Sequence, residues 1–306
     1  MENFMTFPNF LIIGAAKSGT SAMYHYIRHH PEIYMSPRKE THFFAFENVD
    51  PSTKGPGDTI PGAVTKLEDY LLLFNDVRGE KAIGEASPTY LYLPRACERI
   101  QHYIPEVRMI AILRNPADRA FSAFMHLTRD GREPIADFGQ ALALEEERIR
   151  MNWGPIWHYK NGGLYYEQVK RYFQTFGKEK LKIYLHDEFN QNPQVVLKDV
   201  FSFLGVSDSW IPDVSIRPNV SGVPKSERLH KLMHSLFLKP NPLKAASRKM
   251  IPENVRWRVT TQMRNMNITK KPMPPQIREQ LIGFFREDVN KLSQLIERDL
   301  SHWLVE

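Results

Sequence analysis

The sequence predicts an α/β fold, in which helices flank a central, mainly parallel sheet and a helical C-terminal portion follows. Short apolar runs, of which Val107–Leu113 is the clearest, end abruptly in small or polar residues, as buried strands do. Stretches with helical periodicity separate these runs, and strands separated by helices pair in parallel. The chain has 306 residues, of which 42% are hydrophobic and 25% charged. We therefore expect one domain over residues 1–306 rather than two.

Local signals place the helix ends. The first helix stops before Pro31, because the residue before a proline avoids the α region. A later helix begins at Pro116 with Asn115 as its N-cap, and another ends at Gly205. The predicted strands are residues 10–14, 82–84, 107–113 and 181–185, and residues 33–35 form a short apolar segment. Further helices are predicted at 94–104, 138–150, 162–176, 193–204, 226–262 and 276–304. The last of them has an apolar face made of Leu281, Phe284, Phe285, Val289, Leu292 and Leu295.

The loop between the first strand and the first helix has the composition of a phosphate cradle. It runs from Gly14 to Ser21 and contains one lysine and three hydroxyls. Gly14 and Gly19 keep the spacing of a Walker A loop, but Thr20 stands where its lysine belongs and Lys17 lies inside the loop. The sequence thus predicts a P-loop-like, three-layer fold whose loop binds phosphate without the Mg²⁺–ATP arrangement. An ordinary strand-to-helix connection is the alternative.

A second cationic position follows the strand at 107–113. Arg114 stands at its carboxyl end, and Ser122 comes eight residues later in the next helix. Ligands of open α/β sheets bind at this edge, so Arg114 and Lys17 could hold one ligand at two places. A guanidinium fork with a nearby hydroxyl suits a terminal phosphate. The alternative for Arg114 is an ion pair with a carboxylate such as Asp118.

The positive charge is concentrated late in the chain. Residues 225–271 contain twelve lysines or arginines and two glutamates, a net charge of +10, so the rest of the chain carries −4 of the formal +6. We predict a basic helical insertion at about 226–272. It could bind an acidic substrate, a nucleotide or, peripherally, an anionic membrane surface, or it could simply be a solvated helical face.

The sequence composition also limits the cellular compartments in which we expect the protein. No apolar run is long enough for a transmembrane segment, and the N-terminus lacks the pattern of a signal peptide. The single cysteine, Cys97, cannot form an intrachain disulfide or a cysteine-based metal site, so we expect it to be packed. These features predict a cytoplasmic protein, and no residues suggest a metal site or a nucleic-acid partner.

The Lys17 loop, the segment from Leu113 to Ser122, and their order resemble the sulfotransferases that use 3′-phosphoadenosine 5′-phosphosulfate (PAPS). Later blocks are similar too, including Gly162–Gln168 and Phe201–Gly205. The resemblance implies that the loop holds the 5′-phosphosulfate and that an Arg–Ser pair holds the 3′-phosphate. It also implies that Lys225 lies in a basic loop that closes over the cofactor. The implied cofactor-binding residues are Lys17, Ser18, Gly19, Thr20, Ser21, Arg114, Ser122 and Lys225.

The motif Glu40-Thr-His42-Phe-Phe44 resembles the heparan sulfate type of this family and its bacterial relatives. That likeness implies in-line transfer to a hydroxyl or amine of a carbohydrate or small-molecule acceptor (EC 2.8.2.-). Glu40 is then the general base, and Lys17 stabilises the charge on the departing oxygen. His42 could orient Glu40 or touch the acceptor, or it could be a packing residue.

Two positions depart from the heparan sulfate type. Ala45 replaces an acidic residue, and Ala86 replaces the lysine of a Glu-Lys-Ser-Pro segment. Both positions line the acceptor side in the resemblance, which implies a different acceptor, one that can still be an anionic glycan or small molecule. The disulfide of the secretory enzymes is impossible with one cysteine. A bacterial, cytoplasmic enzyme is the resulting expectation.

Two other functions compete with sulfuryl transfer. A small-molecule kinase shares the strand, loop and helix, but it should carry Gly-Lys-Ser/Thr where this chain has Gly19-Thr20-Ser21. A non-catalytic protein that binds anionic glycans would use the basic region, and Glu40 could then be replaced without consequence.

Overall fold

The computed structural model describes most of the chain. The described residues are 6–52, 55–56, 60, 62–215, 222–225, 259, 261–263, 266, 268–269 and 271–305. The predicted basic insertion at 226–272 lies almost wholly outside them, so its helical character stays a prediction.

The main sheet is parallel and has five strands, in the order β2-β3-β1-β4-β5. The strands are β1 (Phe10–Gly14), β2 (Ile33–Met35), β3 (Ala82–Ala86), β4 (Arg108–Leu113) and β5 (Leu181–Leu185). Four of the five were predicted within two residues at each end, whereas β2 was expected only as a short apolar segment. The described residues also include a short antiparallel pair of β6 (Val223–Pro224) and β7 (Ile268–Thr269). The predicted parallel α/β architecture is confirmed.

Helices connect the strands. They are α1 (Thr20–Ile27), α2 (Phe43–Phe46), α3 (Leu67–Leu71), α4 (Pro94–Tyr103), α5 (Pro116–Arg129), α6 (Phe138–Ala143), α7 (Glu145–Arg150), α8 (Tyr165–Phe176), α9 (His186–Gln191), α10 (Pro193–Leu204) and α11 (Pro275–Ile296). Asn115 caps α5 as predicted, because its Oδ1 accepts hydrogen bonds from the N–H groups of Ala117 and Asp118. Gly205 closes α10 in the left-handed conformation, at φ 75°.

The predicted terminal helix at 276–304 is too long. The helix α11 ends at Ile296, and Glu297 adopts the left-handed conformation. The chain then turns back, because Leu300 and Trp303 are buried in the core, and residues 301–304 form a separate 3₁₀ turn. Phe284, which was predicted on the apolar face, is 46% exposed.

Two hydrophobic clusters cover the two faces of the sheet. Alternate residues of β1 point to opposite faces: Leu11 packs in one cluster with α4, α5 and α8, whereas Phe10 packs in the other with α1 and α10. The sheet is therefore the middle layer of three. Cys97 is buried with a free thiol, as predicted. Among the described residues, no helix has both the length and the apolar character needed to cross a bilayer.

Candidate active site

Because all five strands of the main sheet run in the same direction, their carboxyl ends share one edge. The loop 15–19 follows β1 at this edge, and Glu40 lies five residues after β2. Ser87 directly follows β3, and Arg114 directly follows β4. Residues from distant parts of the sequence meet here for this reason.

The loop after β1 has a backbone shape that needs small residues. At Gly14, an added Cβ would lie 2.6 Å from Cβ of Leu91, too close for any side chain. Gly19 has φ +99°, a conformation that favours glycine. The N–H of Ala15 donates to the carbonyl of Ile112 at 2.9 Å, which ties the loop to β4. The sequence-predicted cradle is therefore a distinct turn rather than an ordinary connection.

The loop offers donors to an anion. The N–H groups of Lys17, Gly19, Thr20 and Ser21 donate to no backbone carbonyl in the described part of the chain. Two of them belong to the first turn of α1, where the helix dipole favours negative charge. The Ser18 side chain is fully buried and makes no hydrogen bond of ordinary geometry to a described residue. Burial raises the pKa of the nearby Tyr165 hydroxyl, and Ser18 partly opposes this shift. Unpaired N–H groups and a buried hydroxyl at a helix N-terminus are the donors that anion-binding sites use.

Lys17 is the cation of this loop. Burial, together with the positive charges of Arg129 and Arg114, lowers its pKa to about 7, whereas Asp130 and Glu40 oppose the shift. Two guanidinium groups therefore lie within electrostatic range of the Lys17 ammonium. An anion placed among these cations would be strongly favoured.

Arg114 joins the loop to the end of β4. Its Nη1 donates to the carbonyl of Lys17 at 3.3 Å, and the Tyr165 hydroxyl donates to the carbonyl of Arg114 at 3.1 Å. Burial lowers the pKa of Arg114, but a guanidinium keeps its charge at neutral pH. Asp118, the alternative partner predicted for Arg114, instead pairs closely with Arg278 of α11. The guanidinium of Arg114 is thus not neutralised by Asp118 in an ion pair.

The helix α5 begins two residues after Arg114, and one of its faces contains further candidate residues. Asn115, Ser122 and Arg129 are spaced by seven residues and therefore lie on the same side of the helix. Ser122 is buried, with 3% of its surface exposed. The β6 strand packs against α5, and Lys225, exposed, directly follows β6. Lys225 thus lies beyond a strand that contacts the Ser122 helix.

Arg129 closes this face in a polar cluster at the C-terminal end of α5. Its Nη2 lies 2.6 Å from Nδ1 of His126, and its Nε donates to Oδ1 of Asp130 at 3.0 Å. Burial and the charge of Lys17 lower the pKa of His126 to about 3, so its ring is neutral at physiological pH. Arg129 is therefore the positively charged residue of this cluster, and its charge acts on Lys17.

Glu40 faces the same edge from the connection after β2. Its Oε1 accepts a hydrogen bond from Nζ of Lys39 at 2.8 Å, and its Oε2 lies 3.4 Å from Nε2 of His42. Burial raises the pKa of Glu40, but Lys39, His42 and Lys17 together lower it below the usual value. With 31% of its side chain exposed, the carboxylate is both ionised and accessible.

His42 is held from both sides. Its Nδ1 lies 2.9 Å from Oγ1 of Thr89, and its backbone N–H donates to Oγ of Ser87 at 3.0 Å. The residue has φ 56° and is 6% exposed. Burial lowers the pKa of His42 below 6.5, so the neutral ring dominates at pH 7. Of the three roles predicted for it, this geometry favours orienting Glu40.

Comparison with known proteins agrees with this geometry. The sulfotransferase domain profile matches residues 7–295. The chain belongs to the sulfotransferase family. A crystal structure of a sulfotransferase from Alicyclobacillus acidocaldarius superposes with a TM-score of 0.75 at 37% identity, covering 97% of this chain and 99% of the other. The family and fold predicted from the two motifs are confirmed.

Curated relatives cover a smaller part. A mouse bifunctional heparan sulfate N-deacetylase/N-sulfotransferase is 27% identical over 215 residues, which is 66% of this chain and 23% of the mouse protein. A membrane-associated sulfotransferase of Dictyostelium discoideum is 30% identical over 146 residues, 46% of this chain and 28% of that protein. The sulfotransferase described here thus spans about a quarter of the length of these relatives.

Two positions expected on the acceptor side are core residues in this sulfotransferase. Ala45 and Ala86 are both 0% exposed, and they pack in the hydrophobic clusters on opposite faces of the sheet. Neither methyl group lines a solvent-accessible surface. A charged side chain at either position would be desolvated in this structure.

The sequence reasoning missed several neighbours of Glu40 and Lys17. Lys39 pairs with Glu40, Ser87 and Thr89 hold His42, and Arg129 faces Lys17. Arg129 had a signal in the seven-residue spacing from Ser122, and Ser87 had one in its place directly after a strand. The sequence contained no signal for Lys39, because a lysine next to a glutamate is common on protein surfaces.

Proposed function

We propose that this sulfotransferase moves a sulfuryl group from PAPS to a hydroxyl or amine of a carbohydrate or small-molecule acceptor, with Glu40 as the general base. One observation carries the proposal. Lys17 interacts electrostatically with both Arg114 and Glu40. A phosphate cradle, a second phosphate-binding cation and an accessible carboxylate therefore meet at one edge of the sheet.

The residues at this edge fit a donor with two separate phosphate groups. The free N–H groups of the loop, the buried Ser18 hydroxyl and Lys17 suit the 5′-phosphosulfate. Arg114 and Ser122 suit the 3′-phosphate, and Lys225 would reach the same ligand from β6. When bound, PAPS supplies an activated sulfuryl group on a phosphate leaving group.

Glu40 is suited to accept the proton of the acceptor. Its lowered pKa keeps it ionised at neutral pH, and a positioned base of this kind contributes about 10²–10⁴-fold to rate. His42, fixed by Thr89 and Ser87, orients the Oε2 atom of Glu40. Lys39 holds the other oxygen.

Lys17 is suited to stabilise negative charge on the departing phosphate oxygen. Its pKa of about 7 belongs to a site with several cations, and an anion nearby would raise it again. A preorganised cation of this kind typically contributes about 10²–10³-fold. Arg129, at the end of α5, adds a second positive charge to the electrostatic potential near Lys17.

A carbohydrate acceptor is favoured by the mouse relative, which is named as a heparan sulfate N-sulfotransferase. Both hydroxyl and amine acceptors therefore belong to the proposal. A bacterial origin and cytoplasmic location remain predictions from the sequence.

Ligand-induced thermal shifts test the donor. PAP, the product 3′-phosphoadenosine 5′-phosphate, should raise the melting temperature clearly more than ATP with Mg²⁺, because only PAP has a 3′-phosphate for Arg114. Lys17→Ala should reduce the PAP shift, whereas Lys81→Ala, at an exposed lysine paired with Glu32, should not. Equal shifts from the two nucleotides would contradict the proposal.

Transfer of ³⁵S from labelled PAPS tests the reaction. The acceptor panel should contain N-deacetylated, desulfated glucosamine–uronic acid oligosaccharides, simple sugars and small alcohols and amines. Labelling of at least one acceptor class, lost in Glu40→Gln, is the expected result. PAP binding without transfer to any class would favour the non-catalytic alternative.

A further inference from the structure

A buried carboxyl group lies beneath the proposed base. Glu85 is the fourth residue of β3, it pairs with Leu11 of β1, and its side chain is 0% exposed. Its neighbours include the buried rings of Tyr70 and Tyr90. Placing a carboxyl group among aromatic rings is costly, so a compensating role is expected.

The polar contacts of Glu85 lead to the Glu40 segment. Its Oε2 accepts a hydrogen bond from Oγ of Ser87 at 2.8 Å. The Ser87 hydroxyl has one proton, and it accepts the N–H of His42 at 3.0 Å. The Ser87 hydroxyl therefore donates its single hydrogen to Glu85, and a lone pair of Ser87 Oγ accepts the hydrogen bond from His42.

A second contact reinforces the first. The Thr41 hydroxyl lies 3.0 Å from the Tyr90 hydroxyl and 3.4 Å from Oγ of Ser87. Thr41 and His42 directly follow Glu40, and His42 has the positive φ of 56° that a non-glycine residue adopts only when contacts hold it. The turn that presents Glu40 is thus anchored to β3 rather than to its own strand β2.

We propose that Glu85 is a positioning residue for catalysis: through Ser87 it fixes the Thr41–His42 turn, and thereby the carboxylate of Glu40 at the phosphate loop. The inference rests on the proposed role of Glu40 as the base. Glu85 touches neither donor nor acceptor in this arrangement, because it is completely enclosed.

Burial and the charge of Glu40 together raise the pKa of Glu85 to about 7. The hydroxyls of Tyr90, Ser87 and Thr41 oppose this shift. The ionisation of Glu85 therefore depends on the charge of Glu40.

Hydrogen exchange tests the physical link without any acceptor. In Glu85→Ala, amide exchange should accelerate in the peptide covering 38–46 and remain unchanged in the loop peptide covering 10–21. Glu85→Gln should retain most of the protection, because its side-chain oxygen can still accept from Ser87. Unchanged exchange of 38–46 in Glu85→Ala would overturn the inference.

Glu145→Ala is the matched control. Glu145 is also a fully buried carboxyl, with a raised pKa caused by burial, but it accepts the N–H groups of Lys160 and Asn161. Its replacement should affect the peptide around 160 and leave 38–46 alone. Acceleration of 38–46 by both variants would indicate general loosening and would also overturn the inference.

Kinetics separate positioning from packing. With the acceptor found in the ³⁵S panel, Glu85→Ala should lower kcat about tenfold to hundredfold, the usual cost of a small misplacement, with KM for PAPS and Kd for PAP unchanged. Glu85→Gln should restore most of kcat. In a Glu40→Gln background, Glu85→Ala should cause no further loss, because the residue acts through Glu40. A parallel loss of PAP affinity, or full additivity with Glu40→Gln, would contradict positioning.

Failure of the proposed function would look different. If the wild-type protein bound PAP but labelled no acceptor, the base role of Glu40 would fall while the exchange experiment still reported on the Glu85 link. If transfer occurred and Glu85→Ala left kcat unchanged, only the positioning role would fall.

Discussion

The two ends of the proposed site are built differently. The proposed donor end, made of residues 14–21, Arg114 and Ser122, follows β1 and β4, which are neighbours in the middle of the sheet. Its shape is set by its own backbone, as the left-handed Gly19 shows. The acceptor end, made of Glu40 and His42, follows the three-residue edge strand β2 and is held by side chains from 85–89. The proposed acceptor end therefore depends on contacts between distant segments more than the proposed donor end does.

Replacing the base should break the acceptor end alone. We expect Glu40→Gln to lower the transfer rate about 10²–10⁴-fold, because the amide accepts no proton at neutral pH. Calorimetry should find the affinity for PAP unchanged. Glu47→Gln, at a carboxylate paired with Arg99 and Tyr103, is the control and should keep the wild-type rate. Wild-type activity in Glu40→Gln would remove Glu40 from the reaction.

Lys17 belongs to both ends, and its removal should affect both. In Lys17→Ala we expect kcat to fall about 10²–10³-fold, since a preorganised charge at the leaving oxygen is lost. The Kd for PAP should rise in the same variant, in contrast to Glu40→Gln. Steady-state kinetics combined with calorimetry measure the two effects. A loss in kcat with no change in PAP affinity would place Lys17 away from the donor phosphates.

Arg114 should separate the two phosphate positions within the donor end. Arg114→Ala should weaken PAP binding about tenfold to hundredfold, the range for a hydrogen bond to a charged group. Binding of AMP, which has no 3′-phosphate, should change little. Equal losses for the two nucleotides would show that Arg114 acts mainly on the loop, through its bond to the Lys17 carbonyl.

The affinity for PAP should depend on pH through Lys17. Burial lowers the pKa of Lys17 to about 7 in the free protein, and a bound anion raises it. The ammonium is thus already protonated below pH 7, and above pH 7 binding must take up a proton. Affinity should fall about tenfold per pH unit above 7, until the pKa of the complex is reached. Titrations from pH 7 to 9 measure the slope, and Lys17→Arg, which stays charged, should abolish it.

The sequence predicted the turn around Lys17 and the end of β4 well, because the signals for both are local. Gly14, Lys17 and Gly19 lie within six residues, and Arg114 with the Asn115 cap marks the end of an unmistakable strand. The motif Glu40-Thr-His42 identified the acceptor end only through family resemblance. Its supports, Ser87 and Thr89, lie more than forty residues away, and a sequence pattern contains no information about which hydroxyl meets which ring.

Some predictions failed for a similar reason. The periodicity of the last helix continued past Ile296, but the burial of Trp303 and the hydrogen bond from Asn115 to the Trp303 carbonyl at 3.0 Å require the chain to turn. Ala45 and Ala86 were assigned to the acceptor side, yet both are enclosed in the core. In each case a contact between distant segments outweighed the local pattern.

The sequence by itself determined the layered α/β fold and the loop that can cradle a phosphate, because apolar periodicity and glycine spacing act over a few residues. Only the tertiary structure brought Lys17 within electrostatic range of both Arg114 and Glu40, and linked Glu85 to the His42 turn through Ser87. Parallel pairing of the strands decides this, because it carries the ends of segments far apart in the chain to the same edge of the sheet.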